Sequence, residues 1–368
     1  MSSSLSRKCI LYFPYAIDFE RQSASSIRPQ KIIESFRVNG PEPFLISGSV
    51  KERKKLIKEL KEMINDGIVF DFVYSESSTM PLMLTETHHL PLHPFVDSSF
   101  FRFCKKQGIK IGLFYRDVQW RFPFYDKAVS KPKALFAKAF YTIELALYKK
   151  YLDVLYLPSL KMLDKIPELK TLTVRTLPPA LDDIIETDVK MSIDLRKIRF
   201  FYAGGIMNIY NLDPTIELLN KNNDYHLTLV CRQEEWDIMS NHYMSLLNNP
   251  DQISIHHIGR SEIPEVIQKT DFAVFVMGKQ EYLDFAIPFK IFDYIQYVKP
   301  VLTLNGTAIS EMVQSQGIGM SKETVDELNE YLNHLNDEEY EKLVRNISAS
   351  RDENTWSSRI KQIVKDLN

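Results

Sequence analysis

The sequence predicts an α/β protein made of two doubly wound domains, each with a parallel sheet between helices. Short apolar runs of strand length alternate with amphipathic runs of helical spacing along most of the chain. The 368 residues are enough for two domains of ordinary size. A polar stretch around Pro178 and Pro179 lacks clear periodicity and indicates a linker. We therefore place domains at residues 1–175 and 198–350, a linker at 176–197, and a last amphipathic helix within 351–368.

Hydrophobic spacing gives the individual elements. In the first half we expect strands at 8–13, 44–47, 68–74, 109–115, 154–159 and 172–174, and helices at 28–36, 50–64, 132–151 and 161–165. In the second half we expect strands at 198–205, 226–231, 253–258, 272–277 and 301–304, and helices at 213–220, 263–268, between Pro288 and Lys299, from 307, and at 358–368. Ser25 and Ser26 are expected to cap the first helix.

Composition excludes several classes of protein. Hydrophobic residues make up 44% and charged residues 26% of the chain, as in globular proteins with a substantial core. A net charge of −2 gives no reason to expect a nucleic-acid partner. Cys9, Cys104 and Cys231 are far apart, which fits a reducing compartment without a disulfide framework. No apolar run approaches the roughly 18 residues of a membrane span, so we expect a cytoplasmic protein.

The most informative stretch is residues 281–305. Pro288 suits the first turn of a helix, and Lys290 follows in that turn, where a cation is unfavourable. A bound anion, most simply a phosphate, would account for the lysine. Asp293 lies on the same face three residues later and would suit the ribose hydroxyls of a nucleotide-sugar. The alternative is a solvent-exposed charge pair, which is common on helices.

The pattern P-x-K-x-x-D-Y followed by K-P-V-L resembles the donor-binding segment of bacterial GT-B-fold glycosyltransferases of the retaining type. The resemblance implies two Rossmann-like domains facing a cleft, with the last helix crossing back to the first domain. It also implies that Lys290 contacts the donor diphosphate and that Asp293 holds the ribose. One departure is present: where the family commonly has a first glutamate, this chain has Phe285, with Asp284 as the nearest carboxylate.

Five further residues, at the ends of three strands in the second half, are candidate donor contacts. Gly204 and Gly205 end the first strand of that domain, and such a turn lets backbone approach a phosphate closely, although turns use glycine constantly. Arg232 follows the next strand and either pairs with a diphosphate or is a surface arginine. Gly259 and Arg260 follow the third strand, where the resemblance implies that backbone groups bind the nucleobase.

The loop after the first strand is expected at the ligand-binding edge of the first sheet. It contains Ser26 and Arg28, and its S-I-R-P-x-K pattern also resembles the first loop of the same family. Arg28 is equally well explained as a surface charge. Three histidines lie within residues 88–93, but two prolines and the absence of a nearby cysteine argue against zinc. We expect a solvent-exposed loop. The alternative is a loop that lines the cleft, with His88 in contact with the acceptor.

The stretch Y-R-D-x-x-W-R-F-P resembles the catalytic loop of a subset of these transferases. Through that resemblance Asp117 is the candidate general base, with Arg116 and Arg121 as its charge partners. The alternative is a structural Arg–Asp pair that fixes the loop. Trp120 either stacks on a sugar ring or fills the core.

The resulting hypothesis is a glycosyltransferase that takes a nucleotide-sugar donor and a saccharide or lipid-linked acceptor, the latter a surface-polysaccharide intermediate by resemblance. No D-x-D motif is present, so we expect neither a metal nor another cofactor. Residues 127–151 contain a basic amphipathic helix, from about Pro132, that either docks on the inner face of the plasma membrane or packs normally. Two other functions stay open: a nucleotide-sugar epimerase on the same fold, and a non-catalytic scaffold.

Overall fold

The computed structural model describes residues 7–20, 24–182 and 191–368. The chain forms two compact units. One unit runs to Pro179 and also includes Trp356–Asn368, and the other spans Ala180–Thr355. Each unit contains one six-stranded parallel sheet with helices in the connections between strands. The predicted α/β class is therefore confirmed.

The first unit has six strands and six helices in its described residues. They are β1 Lys8–Tyr12, α1 Ala24–Asn39, β2 Glu42–Ile46, α2 Val50–Asn65, β3 Phe72–Glu76, α3 Val96–Lys106, β4 Lys110–Phe114, α4 Pro123–Ala128, α5 Lys131–Tyr151, β5 Val154–Leu157, β6 Thr173–Thr176 and, from the end of the chain, α13 Trp356–Leu367. Short 3₁₀ turns lie at Leu82–Leu84, Gln119–Arg121, Leu160–Lys165 and Pro167–Leu169. The strand order is β2-β1-β3-β4-β5-β6.

The second unit has six strands and seven helices in its described residues. They are β7 Arg199–Ala203, α6 Asp213–Leu219, β8 His226–Val230, α7 Gln233–Leu246, β9 Ile253–His256, α8 Ile263–Ile267, β10 Phe272–Phe275, α9 Lys290–Gln296, β11 Val301–Leu304, α10 Ala308–Gln316, β12 Gly319–Lys322, α11 Val325–His334 and α12 Asp337–Ser350. Further 3₁₀ turns lie at Pro250–Gln252, Arg260–Glu262 and Asp352–Asn354. The strand order is β12-β11-β10-β7-β8-β9.

Burial explains why these segments become strands. All five residues of β3 and all four of β10 are buried, because helices cover both faces of a parallel sheet. Burying one large apolar side chain contributes about 1.5–3 kcal/mol, so continuous apolar runs favour central strands. Helix α2 begins where the sequence specifies it, since Ser49 and Glu52 form a reciprocal capping box.

The strand order locates the ligand-binding edge of each sheet. The direction of chain progression reverses between β1 and β3 in the first sheet and between β7 and β10 in the second. In open α/β sheets, ligands bind beyond the carboxyl ends of the strands at such switch points. The residues that follow β7 and β10 therefore share the ligand-binding edge of the second unit.

Several predicted boundaries were wrong. Helix α1 begins at Ala24, so Ser25 and Ser26 lie in its first turn instead of capping it. Strand β3 begins at Phe72, because the preceding residues close α2: the N–H of Ile68 donates to the carbonyl of Met63 at 3.0 Å.

Other differences concern local geometry. Helix α9 begins at Lys290, so Pro288 precedes it. The helix predicted at 161–165 is a 3₁₀ turn, and the aromatic loop near 116–125 contains α4. Helix α3 was not predicted at all. Residues 183–190, in the predicted linker, lie outside the described residues.

Candidate functional site

Lys290, the first residue of α9, extends its side chain over aromatic rings. Its ammonium donates to the Tyr202 hydroxyl at 2.6 Å. It lies 4.1 Å from the ring centroid of Tyr202, 4.3 Å from that of Tyr210 and 5.8 Å from that of Phe275. Burial lowers the pKa of Lys290 from 10.5 to about 7, while the Glu235 carboxylate opposes that shift. Ring faces attract cations, so the three rings also favour the charged form.

The Gly204-Gly205 turn follows β7 and lies directly against this lysine. Gly204 has φ +135°, a conformation that side-chain-bearing residues rarely adopt. A Cβ there would lie 2.8 Å from Lys290 Cε. The Tyr202 hydroxyl donates to the Gly205 carbonyl at 2.5 Å. The predicted lysine and the predicted glycine turn are thus brought together.

Glu235 in the first turn of α7 holds the same turn from the other side. Its carboxylate accepts from the backbone N–H of Ile206 at 2.8 Å. Arg232 is exposed and pairs with Glu235 at 3.4 Å. Arg232 is therefore next to the turn with most of its side chain exposed to solvent, as expected of either a surface arginine or a diphosphate contact.

Asp293, one turn after Lys290 on α9, pairs with Arg260. The Arg260 Nη2 to Asp293 Oδ1 distance is 3.0 Å. Burial raises the pKa of Asp293, and the Arg260 guanidinium opposes this. Both residues line a cavity of about 300 Å³ together with Leu181, Asp182, Ser261, Ile263, Pro264, Gln296 and Tyr297. The cavity offers a cation, carboxylates and an aromatic side chain in one place.

The segment between β10 and α9 departs from what the family resemblance implies. Phe285 is 2% exposed and packs edge-on to Tyr282, with 5.1 Å between ring centroids. The backbone carbonyl of Asp284 accepts from the N–H of Ala308 at 2.7 Å.

Gly259, a further predicted donor contact, lies after β9. Its backbone N–H donates to Glu262 Oε2 at 3.0 Å, which caps the 3₁₀ turn Arg260–Glu262.

In the first unit, the buried carboxylate of Glu76 pairs with two of the predicted site arginines, Arg28 and Arg116. Glu76 ends β3 and is fully buried. It accepts from Arg28 Nε at 2.9 Å, from the Tyr74 hydroxyl at 2.8 Å and from Arg116 Nη2 at 3.4 Å. Arg116 also donates to the Tyr15 hydroxyl at 3.2 Å. Arg28 is 3% exposed, so it is not the surface charge that the sequence allowed.

Arg28 is also enclosed by aromatic side chains. Its guanidinium carbon lies 3.5 Å from the Phe114 ring centroid and 5.7 Å from that of Trp356, on α13. Its two terminal nitrogens have no hydrogen-bond partner among the described residues. Such a cation depends on its one carboxylate neighbour for compensation.

Asp117 follows this cluster and shapes the backbone. Its Oδ1 accepts from the N–H of Gln119 at 2.9 Å, which starts the 3₁₀ turn. The expected pairing of Arg121 with Asp117 is wrong. Arg121 instead pairs with Glu168 at 2.5 Å and stacks on Trp120, with 4.0 Å from guanidinium carbon to ring centroid.

Trp120 is a core residue and is not available to stack on a sugar. It is 4% exposed, lies parallel to Tyr141 with ring centroids 4.9 Å apart, and donates to the Tyr115 hydroxyl at 3.2 Å. Ser26 lies half-buried in α1. His88 is exposed and accepts from the N–H of Leu90 at 3.0 Å. Within the described ranges, no cluster of three or more His, Cys, Asp or Glu side chains would hold a metal ion.

Sequence reasoning missed Glu76, Tyr202 and Glu235. Glu76 and Tyr202 look like ordinary strand residues, and their partners are 40 to 88 residues away in the chain. Glu235 carried a weak signal, since an acid in the first turn of a helix often accepts backbone N–H groups.

Comparison with solved structures identifies the fold. The Anabaena protein Alr3699/HepE, solved with UDP and glucose, aligns at a TM-score of 0.59 over 97% of this chain and 98% of its own, at 12% identity. A Rickettsia africae glycosyltransferase aligns at 0.59 over 98% of both chains, at 12% identity. The chain has the GT-B fold. A sucrose-phosphate synthase from Thermosynechococcus elongatus aligns equally well, at 0.59 over 98% of both chains and 9% identity.

Part of the second half of the sequence also matches a known protein family. Residues 224–367 match the family model described as "Glucosyltransferase 3-like, C-terminal domain". The match covers Arg232, Arg260, Lys290 and Asp293. A search of curated protein sequences found no match. Among helices in the described ranges, none is long and apolar enough to cross a membrane.

Proposed function

We propose that this chain is a glycosyltransferase whose second unit binds the nucleotide-sugar donor. The observation that carries the proposal is the placement of Lys290 and Asp293 on one helix at the switch point of the second sheet. Lys290 lies against the Gly204 turn, and Asp293 lines a cavity with Arg260. In the proposed complex, the donor diphosphate contacts Lys290 and the ribose hydroxyls contact Asp293.

The nucleotide is best sought first among uridine conjugates. The HepE structure contains UDP and glucose, and the matching family model describes a glucosyltransferase-like domain. UDP-glucose is therefore the first donor to test, with GDP-mannose and ADP-glucose as alternatives. In the proposed complex, Lys290 and Arg232 stabilise the leaving diphosphate electrostatically, without a resident cofactor.

The acceptor is proposed to bind the first unit. Arg28 and Arg116 are fixed by Glu76 at the ligand-binding edge of that sheet, and Asp117 directly follows Arg116. Asp117 is the proposed base for the acceptor hydroxyl, with Ser26 and His88 as further contacts. A lipid-linked or growing surface polysaccharide is the proposed acceptor class, and retention of configuration is proposed from the sequence resemblance.

Contact with a membrane surface is proposed for α5. Leu135 is 74% exposed, and Phe136 and Ile143 are also exposed, beside lysines at both ends of the helix. Sedimentation with vesicles containing anionic phosphatidylglycerol tests this contact. The double variant Leu135→Ser, Phe136→Ser should stay in the supernatant, and equal sedimentation of both proteins would contradict the proposal.

A non-catalytic scaffold is the second candidate, because Phe285 is buried where an acid is usual. An epimerase has no comparable observation in its favour. Asp117→Asn separates transferase from scaffold. A transferase loses release of UDP from UDP-glucose and keeps nucleotide binding. If the unaltered protein binds UDP-glucose but neither transfers nor hydrolyses it with any lipid or saccharide acceptor supplied, the scaffold is favoured.

A further inference from the structure

The side chain of Lys290 lies in a small site, here called its seat, that is formed by the rings of Tyr202, Tyr210 and Phe275 and by Gly204. Among the described residues, the Tyr202 hydroxyl is its hydrogen-bond partner, at 2.6 Å. Glu235 and Asp293 act on its charge without a hydrogen bond to it. The position of Lys290 is therefore held by aromatic contacts and one hydroxyl, with no carboxylate in hydrogen-bond contact among the described residues.

We propose that Tyr202 and Gly204 are positioning residues, which hold the Lys290 ammonium where it meets the donor diphosphate. This inference rests on the proposed function and adds two residues to it. It also gives the glycine turn a different purpose from the one the sequence suggested: the space beside Gly204 is occupied by Nζ and Cε of Lys290.

Steric contact supports the part assigned to Gly204. A Cβ at this position would lie 2.8 Å from Lys290 Cε, a distance that real Cβ atoms do not show. The atoms in the way belong to the far end of a flexible side chain, so the lysine moves more readily than the backbone. An alanine here would therefore push the ammonium out of its seat.

Hydrogen bonding supports the part assigned to Tyr202. Its hydroxyl accepts from Lys290 and donates to the Gly205 carbonyl at 2.5 Å, so one group ties the lysine to the turn. Tyr202 is fully buried at the end of β7, which fixes its ring. Burial raises the pKa of Tyr202 well above 10, so the hydroxyl keeps its proton at neutral and mildly alkaline pH.

The matched control for Tyr202 is Tyr243. Tyr243 is also buried, and its hydroxyl donates to the carbonyl of Ile206, one residue beyond Gly205, at 2.7 Å. Removing either hydroxyl costs the turn one hydrogen bond. Removing that of Tyr202 also takes away the partner of Lys290.

The experiment is calorimetric titration of UDP-glucose into the full chain from pH 6 to pH 9, with Tyr202→Phe and Tyr243→Phe. Both phosphates of UDP-glucose are esterified, so its diphosphate does not titrate in this range. We expect Tyr202→Phe to bind about tenfold more weakly, equivalent to about 1.4 kcal/mol. As the pH is raised, the affinity of Tyr202→Phe should also begin to fall at a lower pH than that of the unaltered protein. The reason is that the Lys290 ammonium has lost its hydrogen-bond acceptor and gives up its proton more readily. Tyr243→Phe should follow the unaltered protein.

Gly204→Ala and Gly306→Ala provide a second comparison. Gly306 also has positive φ, +97°, but a Cβ there meets nothing within 4 Å. Both substitutions strain the backbone, while Gly204→Ala alone displaces Lys290. We expect Gly204→Ala to bind UDP-glucose at least tenfold more weakly and Gly306→Ala to bind normally.

The outcomes distinguish two failures. If the unaltered protein binds none of UDP-glucose, GDP-mannose and ADP-glucose, the proposed function fails and this inference fails with it. If the unaltered protein binds one of them, and Tyr202→Phe matches either the unaltered protein or Tyr243→Phe in affinity and pH profile, the positioning role is overturned. A shifted profile in Tyr202→Phe alone supports it.

Discussion

Replacing Glu76 by Gln tests the buried charge cluster of the first unit most severely. The substitution keeps the shape and removes the charge that compensates Arg28 and Arg116. Neutralising one partner of a buried ion pair costs about 3–5 kcal/mol, because the remaining charge stays desolvated. With a urea m value of about 2 kcal/mol per M, the unfolding midpoint should fall by about 2 M.

Glu168→Gln is the matched control, since Glu168 pairs with Arg121 at 2.5 Å with both side chains 32–43% exposed. Exposed pairs contribute at most about 1 kcal/mol. Urea unfolding at pH 7, followed by tryptophan fluorescence, reports on the first unit through Trp120 and Trp356 and on the second unit through Trp236. A midpoint shift in Glu76→Gln no larger than that in Glu168→Gln would refute the reasoning.

Three further predictions follow from the same contacts. Asp293→Ala should weaken UDP-glucose binding about tenfold or more by calorimetry, since hydrogen bonds to charged groups contribute about 1.5–3 kcal/mol; unchanged affinity would remove Asp293 from the site. UDP-glucose affinity should fall as the pH rises above 7, by at most tenfold per pH unit. The anionic diphosphate favours the charged form of Lys290, and this lysine loses its proton near pH 7. An affinity that stays constant up to pH 9 would contradict this prediction. Trp120→Ala should destabilise the protein by about 3–5 kcal/mol in urea unfolding without changing UDP-glucose affinity, and reduced affinity in folded protein would return Trp120 to the binding surface.

The sheets were predictable because each central strand is a short apolar run between polar segments. Strand β11 at Val301–Leu304 agrees with the sequence to the residue. The start of helix α1 was misjudged because Ser25 and Ser26 suggested an N-cap ahead of Arg28, whereas the helix already begins at Ala24. Pro29 is the sixth residue of this helix, and nothing local in the sequence reveals the earlier start.

The candidate site divides in the same way. The placement of Lys290 and Asp293 on one helix was predictable, since it is a local property of the sequence. Their roles as donor contacts came from the family resemblance and stay predictions. The contacts of Lys290 with Tyr202 and of Glu76 with Arg28 join residues 88 and 48 positions apart. A single sequence does not encode such pairings in any local pattern, so the roles of Glu76 and Tyr202 emerged only from the fold.

The central claim is that the second unit binds a nucleotide-sugar through Lys290. The most direct measurement is calorimetric titration of UDP-glucose, GDP-mannose and ADP-glucose into the unaltered chain, Lys290→Ala and the exposed control Lys269→Ala. We predict saturable binding of one donor to the unaltered chain and to Lys269→Ala, and a loss of at least tenfold in affinity in Lys290→Ala. No binding of any donor, or equal binding by Lys290→Ala, would contradict the claim.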